Sequence, residues 1–137
     1  MSAASKADAI AAFRAMCEGI GAQELEPDFV GSLEPLLGQL LAYVLSHPEQ
    51  REVFVDGFCD LARSQLERQV RTSVEVLPYC MHTLRYPEVR AFVERRLRET
   101  ISTDQWREVH VLSAYLESFD DDWSGRDLYE RYGRRAP

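Results

Sequence analysis

Apolar residues recur at steps of three and four along most of this chain, and no segment alternates apolar and polar positions over a strand's length. That is the period of a helix with one face turned inward. Ile10, Phe13, Cys17 and Ile20 make the first stripe, in a helix over 5–20 that Ser5 caps and Gly19 and Gly21 end. Ser32 or Glu34 opens a second, because Pro35 is tolerated only in a first turn, and Leu36, Leu37, Leu40, Leu41, Val44 and Leu45 follow. A third, the longest, runs from Pro48 to about Gln69 with Phe54, Phe58, Leu61, Ala62, Leu66 and Val70 inward.

Thr72 and Glu75 then form a capping box for a helix carrying Val74, Leu77, Met81 and Leu84, which Pro78 kinks or delays. After Pro87 come Val89, Phe92, Val93, Leu97 and Ile101. Ser102 with Gln105 is a further box, leading into Trp106, Val109, Leu112, Leu116 and Phe119. Three aspartates stop that helix. Ser124 and Asp127 start a last short one with Leu128 and Tyr132, before a basic tail at 133–137. The pattern predicts an all-α fold of about six or seven helices in a single domain over 1–137.

One phrase occurs twice. Leu45-Ser46-His47-Pro48-Glu49-Gln50-Arg51 returns thirty-nine residues later as Leu84-Arg85-Tyr86-Pro87-Glu88-Val89-Arg90. Each copy lies where one apolar stripe stops and the next begins. Pro preset at the first helical position and Glu beside it, against the helix dipole, explain the phrase as a helix-start signal. Two helices per unit, a Pro corner and this period resemble the HEAT/armadillo class of helical repeats. The resemblance implies antiparallel hairpins stacked as a short right-handed array. Its units would be 33–71, 72–101 and a degenerate 102–132 that lacks the Pro-Glu-x-Arg corner. It also implies a binding scaffold, while a compact bundle with similar turns remains the alternative.

Charge narrows the partners. A net charge of −7 opposes nucleic-acid and anionic-membrane binding, and it is compatible with a basic protein partner. The acidity sits at the two ends, since residues 48–100 hold nine acids and nine bases. Arg85, Arg90, Arg95, Arg96 and Arg98 therefore read as a solvated face rather than a phosphate site, with Glu94 four residues after Arg90. Three cysteines without a CxxC spacing, no leader-like start and no long apolar run place the chain in the cytoplasm.

Asp120, Asp121 and Asp122 with Trp123 are the most distinctive candidate contact surface: carboxylates for a basic partner beside an aromatic anchor. Tyr86, Arg90 and His47, at the corners, join them as candidate interaction residues. Cys80, His82 and His110, with Cys59, are metal-ligand types but lack pair spacing, so no metal or cofactor is expected. The sequence thus points first to a non-catalytic protein–protein interaction module, with a homodimer possible where terminal faces stay apolar. An acidic inhibitor of a basic enzyme is the second reading. A small helical enzyme or ligand-binding domain using Cys80, His82 and His110 is the third.

Overall fold

The computed structural model describes residues 5–67, 73–103 and 105–133, and of 65–67 the backbone alone. Six α-helices and no strand stand among the described residues: α1 (Lys6–Leu25), α2 (Glu34–Ser46), α3 (Arg51–Glu67), α4 (Val76–Leu84), α5 (Pro87–Ile101) and α6 (Trp106–Glu117). The all-α expectation holds. Contacts gather the chain into two compact units, residues 1–76 and 77–137. None of the described helices is long and apolar enough to cross a membrane.

In the first unit α1 packs on α2 and α3. Three residues of its expected stripe are buried, Phe13, Cys17 and Ile20 at 4% exposure or less, while Ile10 is half-buried. Phe13 is the hub, its ring 5.0 Å from Phe58 and 6.1 Å from Phe54. Gly57 makes room for it: a Cβ there would stand 2.7 Å from the Phe13 ring. Contrary to expectation, α1 runs through both glycines to Leu25. A glycine costs about 1 kcal/mol inside a helix, less than the roughly 1.5–3 kcal/mol gained by burying Ile20 in the same turn. The last turn is also held, because Ser73 Oγ donates to Glu24 Oε2 at 2.7 Å. The helix stops at Leu25, and Glu26 before Pro27 is already extended.

In the second unit α5 packs against α6. Pro78 does delay α4. Ser73 Oγ accepts from the Glu75 amide, and the helix begins at Val76, which puts Pro78 in the first turn, where no helical N–H bond is needed. The proposed cap at Thr72 lies outside the described residues, as do Gln69 and Val70. The second box is corrected: Ser102 Oγ donates back to the Glu99 carbonyl at 2.7 Å, and Gln105 stands at the start of α6 without a side-chain cap bond. The last element is a 3-10 turn, Ser124–Leu128, that turns Leu128 outward at 77% exposure and buries Tyr129.

The repeated phrase folds in two ways. At the second copy Tyr86 is extended and Pro87 is the first residue of α5. At the first, Pro48–Gln50 form a 3-10 turn and α3 starts only at Arg51. Arg85 makes the difference. It adopts φ +48°, reversing the chain in one residue as a glycine would, whereas its counterpart in the first copy, Ser46, is still the last residue of α2.

Candidate functional site

The acidic loop rests on an aromatic base. Trp123 is buried at 7% exposure, its ring 5.1 Å from His82 and 5.9 Å from Tyr129. Gly125 lets the indole fold over the backbone, since a Cβ there would lie 2.8 Å from Nε1. Trp123 is therefore an internal strut, which corrects its reading as an exposed anchor. Its burial comes from residues about forty positions upstream and a few downstream, which no helical period reveals. His82 Nδ1 donates to the Ser118 carbonyl at 2.8 Å, and its ring lies edge-on to Tyr132 at 4.6 Å. The Tyr132 hydroxyl donates to the Tyr79 carbonyl at 2.6 Å and lies 2.6 Å from Thr83 Oγ1. Burial pushes the Tyr132 phenol above its ordinary range.

Three exposed carboxylates cap this base. Asp121 is held by Arg85 Nη2 at 2.7 Å, and Arg126 donates to the Asp121 carbonyl. Arg85 Nε also donates to the His82 carbonyl at 3.1 Å, so one side chain ties the end of α4 to the loop. Asp120 and Asp122 keep exposed carboxylates, and no ion pair among the described residues uses them. The loop is braced, and two of its charges remain for solvent or a partner.

The corner residues serve locally. His47 Nδ1 lies 3.0 Å from Glu49 Oε1, with its ring 4.7 Å from Tyr43. Its own backbone amide, and next the His47 ring, hold the Glu49 carboxyl below the usual range. That bias favours the folded corner above the ordinary carboxylate pKa and is lost as pH falls through the lowered one. Arg90 Nε meets Glu94 at 3.3 Å, the expected i,i+4 pair, and its guanidinium lies 5.9 Å from the Phe119 ring. Tyr86 is half-buried at the start of α5.

Cys80, His82 and His110 take separate roles. Cys80 is fully buried, His82 is committed to Ser118, and His110 is exposed on α6. No group of three or more His, Cys, Asp or Glu able to hold a metal ion occurs among the described residues. Cys59 is half-buried on α3.

Two features escaped the sequence reading. The first is a knuckle at the α5–α6 turn, where Trp106 is 65% exposed and Ile101 56%. The expected stripe of α6 had placed Trp106 inward, but its buried positions are Leu112 and Tyr115. The first turn of α6 still meets α5, where Thr100 Oγ1 donates to Glu108 Oε2 at 3.4 Å, but the Trp106 side chain at its first position stays in solvent. The second is a cleft of about 560 Å³ between α1 and α3 in the first unit. Ile10, Phe13, Cys17, Val53 and Leu61 supply its apolar lining. Burial, with Glu18 adding, pushes the Cys17 thiol up to about 12, so the sulfur stays protonated at neutral pH and is a poor nucleophile.

Compared with protein-family models, with curated proteins and with solved structures, the chain finds no match in any of the three.

Proposed function

We propose that this protein is a non-catalytic protein–protein interaction module. The observation that carries the reading is the knuckle. Trp106 and Ile101, five positions apart in sequence and at either end of one turn, hold large apolar surface in water. Exposed tryptophan is the residue type most often found as an anchor in protein interfaces. Its burial on a partner would recover roughly 25 cal/mol per Å² of apolar surface. A second copy of the chain is one such partner, since a symmetric pair of knuckles would form a homodimer. The array of hairpins is part of the proposal: α2–α3 and α4–α5 meet at Pro corners thirty-nine residues apart.

A second reading, an acidic inhibitor of a basic enzyme, is favoured by the bracing of the loop. Asp120 and Asp122 are presented on a backbone already fixed by Trp123, Arg85 and Arg126, which lowers the ordering cost of binding a cationic surface.

Site-specific photo-crosslinking separates the two. A benzophenone side chain placed at 106 is expected to give one discrete adduct, lost in an Ile101→Ser background. An adduct at twice the chain mass would identify a second copy as the partner. Adducts from 122 and none from 106 would favour the inhibitor reading. No discrete adduct from either position would overturn the interaction reading.

A further inference from the structure

The cleft between α1 and α3 belongs to neither surface described above, and its dimensions limit what enters it. Its α1 wall runs from Lys6 to Glu18 and its α3 wall from Val53 to Ser64. At about 1.5 Å per helical residue each wall is about 16–18 Å long, or three turns. The cleft, of about 560 Å³, thus matches a segment of about three helical turns in length.

The rim adds a second constraint. On α1 it carries Lys6, Arg14 and Glu18; on α3 it carries Asp56, Asp60 and Arg63. Arg63 Nη1 is bound to Asp60 Oδ1 at 2.9 Å, which leaves Asp56 as the uncompensated charge of that wall. Within α1 the two cations outnumber Glu18. The two walls thus carry opposite net charge above an apolar floor.

We infer that this cleft seats the apolar stripe of an amphipathic partner helix whose two flanks carry opposite charge. The acidic flank lies along Lys6 and Arg14, and the basic flank along Asp56. Apolar side chains at i, i+4 and i+7 reach down to Ile10, Phe13, Val53 and Leu61, while the helix body rides on the rim. The charges contribute direction more than affinity, because exposed pairs are individually weak and opposite walls admit such a helix one way round. The inference rests on the interaction-module reading but uses a different surface from the knuckle.

The test uses the full chain and three stapled helical peptides of about three turns. All share one leucine stripe; one has a Glu flank and a Lys flank, one has Glu on both, one has Lys on both. Fluorescence anisotropy is expected to rank the mixed-flank peptide at least fivefold tighter than either other. Asp56→Lys makes both walls basic, so the mixed peptide should weaken at least fivefold while the all-Glu peptide tightens. A variant that merely failed to fold would weaken all three. Ile10→Asp should weaken every peptide at least tenfold. Trp106→Ser should leave all three affinities unchanged, so a failed knuckle and a failed cleft give different results. Equal binding of the three peptides, or an unchanged ranking in Asp56→Lys, overturns the inference. So does displacement of the peptides by Trp106→Ser, or binding of dodecanoate to the cleft where no peptide binds.

Discussion

The two tryptophans occupy opposite circumstances. Trp106 opens a strongly amphipathic helix and is 65% exposed; Trp123 follows three aspartates and is 7% exposed. Their sequence surroundings suggest the reverse. The difference lies in what each residue meets after the chain has folded. At 106 the helix has begun, yet the indole itself stays in solvent while Glu108, two residues on, already meets Thr100 of α5. At 123 the chain doubles back, and His82, Tyr129 and Tyr132 close around the indole. Periodicity reports which face of a helix is apolar and says nothing about where along its length the neighbour ends.

The largest way to sharpen that contrast is truncation. Trp123→Ala removes a buried aromatic and should cost about 3–5 kcal/mol in urea unfolding, while Trp106→Ala should stay within about 0.5 kcal/mol of the parent. Equal losses would dissolve the contrast. A smaller effect is expected at Tyr132, whose hydroxyl satisfies the Tyr79 carbonyl. Tyr132→Phe keeps the ring and should cost about 1–3 kcal/mol, measured by the same denaturation. No loss would mean that the hydroxyl does not brace the base of the acidic loop.

Much of the fold was legible in the chain, and the reasons are local. Pro35, Pro48 and Pro87 mark helix starts because a proline ring fits only an initial turn, and each stands in or beside one here. Phe13, Phe54 and Phe58 sit on faces that a 3.6-residue period identifies, and they meet in the core. Where local signals mislead, a distant partner decides. Gly21 looks like a helix end but is carried through by Ile20's burial and the Ser73–Glu24 bond. Arg85 looks like any surface cation, yet it takes φ +48° with its side chain bridging His82 and Asp121, so the second corner turns through a left-handed residue that the first lacks. The candidate surfaces were less legible still. The cleft depends on how closely α1 and α3 approach at Gly57, and the knuckle on where α5 and α6 stop covering one another.

The smallest effect should come from the Arg85–Asp121 pair. Asp121 is 93% exposed, so Asp121→Asn should change stability by less than about 1 kcal/mol, and salt should erase the difference. A larger or salt-insensitive loss would show that the second corner depends on this pair more than on the aromatic base beneath it.

The central claim is that Trp106 is the tryptophan offered to a partner and Trp123 the one that holds the fold. Acrylamide quenching of the two single-tryptophan variants, Trp123→Phe and Trp106→Phe, tests it most directly. Trp106 should give red-shifted, readily quenched emission, and Trp123 blue-shifted, protected emission. Equal quenching, or the opposite order, would contradict it.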